Sequence, residues 1–225
     1  MDLKLIILAI PALLFSLSFH EFAHAWVATK LGDGTPGRQG RLTLSPLAHM
    51  DPFGTVLFPG IALALNAMHI PAPFFGWAKP VEFVPTNFTR RVSMWQGTAL
   101  CALAGPASNL LLALITALVL RLFVLYAPEL LMGRSLLGDA IELMIQLNVM
   151  LAFFNLVPVP PLDGSHLWPR AWTSAKEFVQ RYSFMLFIVI FFIRLPGTGR
   201  PIGWLVIGPF IDTTTRWLLM LGGVA

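Results

Sequence analysis

Two histidines and a glutamate early in the chain have the types and the spacing of a metal-hydrolase site. The sequence His20-Glu21-Phe22-Ala23-His24 is an H-E-x-x-H motif, and helical residues four positions apart lie on one face. Two imidazoles at that spacing can bind one Zn²⁺ ion, at about 2.0–2.1 Å from each nitrogen. Glu21 would stand beside the metal as the base for a water molecule. The motif therefore predicts zinc-dependent hydrolysis, with His20 and His24 as ligands.

The alternative interpretation is a structural cluster of two packed histidines and one buried glutamate. The motif lies late in the apolar stretch that begins at Leu3. Each ionisable group inside a membrane costs about 2.5–3.5 kcal/mol on insertion scales. Three such groups together need a compensating partner, and a metal ion supplies one. His20 follows Leu3 by 17 positions, or about 25 Å of helix, which places it near one boundary of a hydrocarbon core about 30 Å thick.

A third protein ligand is expected, because zinc hydrolases keep three and leave one position for water. Asp163 is the best-placed candidate, since it directly follows an apolar span that three prolines end. Prolines stiffen the chain, and Gly164 permits a turn. His166 is the main alternative, although a loop histidine near the interface is its simpler interpretation. The remaining candidates are His49, Asp51, His69 and Asn155, of which we expect His49 and Asp51 to cap a turn and His69 to lie at the interface.

The composition indicates a membrane protein. Of the 225 residues, 56% are hydrophobic and 12% are charged, whereas soluble domains carry about 25% charged residues. These values exclude a soluble globule and a disordered chain. One cysteine, Cys101, excludes an internal disulfide. The net charge of +4 is scattered, so we expect no nucleic-acid partner and attribute the excess to membrane topology.

Apolar stretches predict an all-α polytopic membrane protein with about 4–6 transmembrane helices. We expect one membrane-embedded domain over residues 1–225. A signal peptide ending near Ala23-His24-Ala25 is the alternative for the first stretch, but the rest of the chain is equally apolar. The predicted elements are a motif helix over 3–31, a re-entrant and extended region over 41–92, a helix over 95–124, a segment over 136–164 whose span covers 136–157, and C-terminal apolar segments over 182–221.

The charge distribution favours a stretch 53–70 that enters the membrane and returns on the same side. That path leaves nine Lys and Arg residues in regions 30–95 and 158–181 and five on the other side. The positive-inside rule then places the nine in the cytoplasm. If residues 53–70 cross the membrane instead, the Lys and Arg residues divide almost evenly between its two sides. We therefore expect the active site near the cytoplasmic side.

Three motifs together resemble the site-2 protease family of intramembrane zinc metalloproteases. They are HEFAH in the first span, GPASN at residues 105–109 and NLVPVPPLDG at residues 155–164. Residues 41–59 and 76–81 also look like compact members of that family. Ser45 stands where the family pattern has Asn, at a position without a metal role. We see no insertion long enough for a PDZ or CBS domain.

The resemblance implies particular roles. His20, His24 and Asp163 would bind one Zn²⁺ per chain, and Glu21 would be the general base. Asn109 and Asn155 would shape the substrate site, and a β-like re-entrant element within residues 41–85 would guide the substrate. The partners would be a transmembrane protein or peptide substrate and the lipid bilayer, in a prokaryotic cell membrane.

Two other functions use the same residues. A membrane metal carrier would need several polar sites along a path, and the spans offer few besides Glu142, Asn148 and Asn109. A carrier would also have no need of Glu21 between the histidines. A non-catalytic zinc-binding paralogue would be expected to have lost part of HEFAH or LDG, and both are intact. The sequence names neither the substrate nor the oligomeric state.

Overall fold

The computed structural model describes residues 3–68, 78–89, 91–132, 135–169 and 172–224. Throughout these ranges the regular structure is helical, apart from an isolated antiparallel bridge between Arg194 and Pro201. The all-α class predicted from the sequence is therefore confirmed. The chain divides into two compact units, residues 1–97 and residues 98–225.

The first unit begins with α1, Leu3–Lys30, which carries the H-E-x-x-H motif. The helix contains Pro11 but no glycine, and its mainly apolar side chains suit a long helix in a membrane. Gly32 ends it by adopting the left-handed conformation, with φ of 106°. The Gly32 N–H donates to Thr29 O at 3.0 Å. The helix ends one residue before the end that the sequence predicts.

Short helical pieces follow α1 in the first unit. α2, Thr35–Arg38, and α3, Pro46–His49, both pack against α1. A π-helical turn, Pro52–Leu57, leads into α4, Phe58–Ala67. The ten residues of α4 make about 15 Å of helix, roughly half of the hydrocarbon thickness. Residues 69–77 lie outside the described residues, so the re-entrant path of 53–70 stays a prediction.

Residues 78–84 form a segment without helix or turn, which we call the 78–84 segment. It ends at Val84, whose backbone is extended with φ of −112° and ψ of 102°, and a 3₁₀ turn follows over Pro85–Asn87. The sequence predicts extended structure over 71–92, and the described part of that stretch includes this segment. Because the described part of residues 41–85 contains no paired strand, the β-like element expected there stays a prediction, and the 78–84 segment is its candidate.

The second unit contains most of α5, Met94–Tyr126, and all of α6, Leu136–Asn155. Ser135 caps α6 by accepting a hydrogen bond from the Gly138 N–H. α6 packs against α9, Ile202–Gly222. Their contact belongs to a cluster of buried apolar side chains whose members include Ala113, Ala117, Ile145, Val149, Ile207 and Ile211. The alanines of this core are small enough to let the helices approach closely.

The chain between α6 and α9 is more helical than the sequence predicts. A 3₁₀ turn covers Asp163–Leu167, α7 covers Thr173–Arg181 and α8 covers Ser183–Phe192. The sequence predicts a polar connection over 162–181 without a helix in it, whereas the last nine residues of that connection form α7. Nine residues make fewer than three helical turns. The alternation of polar and apolar residues identifies a helix only over longer stretches.

Three of the described helices have the length and composition of membrane spans. They are Leu8–Lys30 within α1, Met94–Tyr126 and Leu136–Asn155. α8 is apolar but has only ten residues. α9 is long enough but contains Asp212 and Arg216. The chain is an integral membrane protein, and the expected total of about 4–6 crossings stays a prediction.

Candidate active site

His20 and His24 meet on one face of α1. Their Nε2 atoms lie 3.0 Å apart, and their rings stand nearly perpendicular, with centroids separated by 4.6 Å. Both side chains are buried. Two nitrogens bound tetrahedrally to one zinc ion are about 3.3 Å apart, given bonds of about 2.0–2.1 Å. The donor types and their separation therefore fit a zinc ion at this point of the helix.

Glu21 is buried beside the two histidines and is held by a distant part of the chain. Its Oε2 accepts a hydrogen bond of 2.9 Å from the Val81 backbone N–H. Only 9% of the Glu21 side chain is exposed, so this contact replaces water at one carboxylate oxygen. The carboxylate is thus fixed by the backbone of the 78–84 segment.

The 78–84 segment is fastened on both sides of Val81. On one side, the Lys79 N–H donates to the His49 backbone carbonyl at 2.8 Å. On the other side, the Val84 N–H donates to Asp33 Oδ2 at 2.6 Å. These contacts tie the segment to residues 31–49, the stretch that follows α1.

Asp33 is a fully buried carboxylate at the end of α1. Its Oδ1 accepts from the Thr35 N–H at 3.0 Å, the Thr35 hydroxyl at 2.6 Å and the Asn87 side-chain amide at 2.9 Å. Burial by itself raises the pKa of Asp33, but the hydrogen bonds from Asn87, Thr35 and Val84 outweigh it and lower the pKa to about 2. Asp33 is therefore charged near neutral pH and joins α1 to the chain around residues 84–87.

His49 and Asp51 have structural partners in the first unit. Asp51 Oδ1 accepts from the Phe53 and Gly54 N–H groups at 3.0 and 2.7 Å, so the predicted turn-capping role of Asp51 is confirmed. His49 is buried, and its Nε2 contacts the Thr43 carbonyl at 2.8 Å. Instead of capping, His49 holds its loop through that side-chain contact and binds the 78–84 segment through its carbonyl.

Asp163 begins the 3₁₀ turn in the second unit. A loop with a cis peptide bond between Pro160 and Pro161 leads to it from α6. Gly164 is buried against the end of α6, where an added Cβ would collide with the Leu156 carbonyl and lie 2.6 Å from Val157 O. Only glycine can occupy so close an approach of two backbone segments.

This loop also carries His166, another of the candidate ligands. The Trp168 side chain closes the loop by donating to the Pro158 carbonyl at 2.9 Å. His166 lies exposed on the same 3₁₀ turn as Asp163. His69, the last histidine considered as a ligand, lies outside the described residues.

Asn109 and Asn155 differ in their surroundings within the second unit. Asn109 is fully buried, and its amide nitrogen donates to Asn148 Oδ1 at 2.8 Å. The Asn148 amide in turn donates to the Met144 carbonyl. Asn155 is partly buried and donates to the Leu151 carbonyl of its own helix at 3.0 Å. Asn109 therefore joins α5 to α6 through this hydrogen bond. Its expected role in shaping the substrate site stays a prediction.

Two groups beside the motif were missed by reasoning from the sequence, Asp33 and the Val81 N–H. No pattern in the sequence connects Val81 with Glu21, because the two lie 60 positions apart. For Asp33 a signal did exist, since Asp followed two residues later by Thr is typical of a side chain that bonds its own turn.

Comparison with known proteins shows similarity to one protein family. The model of peptidase family M50 matches residues 131–194. YwhC of Bacillus subtilis strain 168, which carries the name of a zinc metalloprotease, is 37% identical over 93% of this chain and 88% of its own length. Rip2 of Mycobacterium tuberculosis strain H37Rv, also named as a zinc metalloprotease, is 31% identical over 97% of this chain and 75% of its own length. No solved structure gives a significant match.

Proposed function

The chain belongs to peptidase family M50, the site-2 protease family of zinc metalloproteases, and we propose that it cleaves peptide bonds in or near transmembrane segments of membrane proteins. The observation that carries this proposal is the convergence of the His20 and His24 nitrogens beside Glu21, on a helix long and apolar enough to cross a membrane. Such a site brings hydrolytic chemistry to the depth at which transmembrane substrates lie.

His20, His24 and Asp163 are the proposed zinc ligands. They offer two imidazoles and one carboxylate, a donor set that catalytic zinc accepts while keeping one position for water. The two histidines are supported by their geometry on α1. Asp163 is supported by its place in the LDG motif and by the rigid loop that presents it. When bound, zinc supplies Lewis-acid polarisation of the scissile carbonyl and lowers the pKa of a water toward about 7.

Glu21 is the proposed general base and, later, the general acid. Its carboxylate would take a proton from the attacking water and return that proton to the leaving amine nitrogen. Burial supports this role, because a buried carboxylate with a fixed position exchanges protons with the reacting groups rather than with bulk water. Asn155 or Asn109 would donate a hydrogen bond to the oxygen of the scissile carbonyl as negative charge develops there.

The 78–84 segment is the proposed guide for the substrate chain. A transmembrane helix hides its carbonyls in hydrogen bonds, so it must unwind before it can be cleaved. An unwound chain can pair with the backbone of an extended segment by β-addition. The segment carries the Val81 contact to Glu21, which supports a path for the substrate close to the base. The positive-inside count favours a cytoplasmic position for this end of α1.

The test is Glu21→Gln in detergent or membranes, with a transmembrane peptide as substrate and zinc measured per chain. Glutamine keeps the size of glutamate but cannot accept the proton. We expect zinc content to stay at the parent value and cleavage to fall by about 10²–10⁴-fold, the usual contribution of a general base. Parent-level cleavage would overturn the assignment of Glu21, and Asp163→Ala with unchanged zinc would remove Asp163 from the ligands.

A further inference from the structure

The contact between Val81 and Glu21 links the motif helix to a part of the chain far away in sequence. The two hydrogen-bonded residues lie 60 positions apart in the sequence. The donor is a backbone N–H, so no side-chain substitution at position 81 except proline removes it. A glutamate otherwise has three rotatable bonds and could turn away from a bound water. This N–H fixes one carboxylate oxygen and with it the direction of the other.

Two further hydrogen bonds fix the position of that N–H. The Lys79 and Val84 amides, two residues before and three residues after Val81, donate to the His49 carbonyl and to Asp33 Oδ2. A short chain held at both ends has little freedom between them. Val81 therefore cannot move away from Glu21 unless one of the two anchors is released.

Asp33 is the stronger of the two anchors. It is a charged acceptor, which makes hydrogen bonds that are shorter and stronger than those of a neutral carbonyl, and the bond from Val84 measures 2.6 Å. It also binds Asn87, just beyond the segment. The neighbouring Leu31 carbonyl accepts from the Thr89 N–H at 2.7 Å. The whole stretch 84–89 is thus attached to the residues that directly follow α1.

We propose that the Val81 N–H is a positioning group for Glu21, and that Asp33 is the positioning residue that holds this N–H in place. Glu21 Oε2 remains hydrogen-bonded to the backbone, so Oε1 is the oxygen that takes the proton from water. Asp33 touches neither substrate nor metal and acts through the 78–84 segment. This inference rests on the proposed role of Glu21 as general base.

The substitution Asp33→Asn tests the anchor selectively. The amide oxygen can keep the hydrogen bonds that Oδ1 accepts, but the amide NH₂ in place of Oδ2 would face the Val84 N–H, and two donors repel. We expect kcat for a transmembrane peptide to fall about 10–100-fold, because a misdirected base loses much of its rate contribution. The loss should persist at saturating peptide, so that a change in KM caused by moving the substrate-guiding 78–84 segment does not account for it. Zinc per chain should stay at the parent value, since no ligand is altered.

A matched control is Asp51→Asn. Asp51 is also an aspartate of the first unit that accepts two backbone hydrogen bonds through Oδ1, and its variant removes the same charge. The Asp51 side chain has no hydrogen bond to the 78–84 segment in the described residues. We expect parent kcat from this variant, so that a loss confined to Asp33→Asn reflects the anchor and not a missing carboxylate.

A second variant, Val81→Pro, removes the donor itself and leaves Asp33 intact. It should also lower kcat about 10–100-fold at parent zinc content. Parent kcat in both Val81→Pro and Asp33→Asn, with Glu21→Gln inactive, would overturn this inference and leave the proposed function standing. A loss that follows zinc content, or that disappears at saturating peptide, would also overturn it, because that pattern is the mark of a structural or binding role. Full cleavage by Glu21→Gln would instead overturn the proposed function.

Discussion

The two regions that supply the proposed zinc ligands are built in opposite ways. In the first unit, His20 and His24 meet because they lie one turn apart on a regular helix. In the second unit, Asp163 is presented by an irregular loop that folds back on the end of α6. Helix geometry places the histidines with little help from their neighbours, whereas the position of Asp163 depends on the backbone around it. Substitutions beside the ligands should therefore leave zinc binding unchanged in α1 and weaken it in the loop.

The largest effect is expected from removing a ligand. His24→Ala leaves one imidazole on α1, so zinc measured per chain should fall to background and cleavage should disappear. His166→Ala is the matched control, because this exposed histidine shares a turn with Asp163. That control should keep zinc and cleavage. Zinc retained by His24→Ala, or lost from His166→Ala, would contradict the ligand set.

The next effect tests the dependence of Asp163 on its backbone. Gly164→Ala would drive a Cβ into the Leu156 carbonyl and displace Asp163 without changing any ligand. We expect zinc affinity to fall about 10–100-fold, as for other supporting residues of metal sites, measured by competition with a chelator. Gly138→Ala is the control, because its Cβ would meet side-chain atoms of Ser135 and Leu131, at 3.0 and 3.9 Å, and no backbone. Equal zinc affinities in Gly164→Ala and Gly138→Ala would show that the position of Asp163 does not depend on the backbone of its loop.

A smaller effect concerns the stability of the first unit in acid. It depends on Asp33, the buried carboxylate in the turn after α1. The folded state lowers the pKa of Asp33 from 3.8 to about 2. Its stabilising contribution is therefore complete above pH 4 and is lost as the pH falls from about 4 to about 2. We expect the free energy of unfolding to drop by about 2 kcal/mol over this range. Thermal unfolding of Asp33→Asn should lack that decrease, and an equal decrease in both proteins would assign it to other groups.

The smallest effect is expected at a polar contact between two regular helices. Asn109→Leu leaves Asn148 without the amide that donates to it, and polar contacts in membrane helices contribute about 0.6–2 kcal/mol. We expect thermal stability in detergent to fall by that amount and to recover in part in the double variant Asn109→Leu/Asn148→Leu. If the double variant loses more stability than the two single variants together, the asparagines do more than hydrogen-bond to each other.

Local geometry accounts for what the sequence predicts well. The motif spacing predicts the meeting of His20 and His24, since only helical periodicity is needed. Gly32 and the prolines after Val157 mark where the long helices end. These features depend on residues within one or two turns of each other, and such patterns are visible in a single sequence.

Contacts between distant residues account for what the sequence does not predict. The Val81 bond to Glu21 is made by the backbone, which is chemically the same at every non-proline position. Asp33 has partners both two residues away and more than fifty residues away, and only the nearer ones have a sequence signature. The Asn109 contact with Asn148 requires knowing which faces of α5 and α6 meet. Each of these depends on tertiary packing rather than on local propensity.

The Asn109–Asn148 hydrogen bond has a consequence for biogenesis. During synthesis α5 emerges before α6, so Asn109 can reach the membrane before Asn148 is there to accept its hydrogen bond. An amide hydrogen bond that is not made in an apolar surrounding costs about 1–3 kcal/mol. This cost falls away when α6 enters and Asn148 accepts the hydrogen bond. The two spans should therefore leave the translocon as a pair, and a helix inserted between them by engineering should delay the integration of α5.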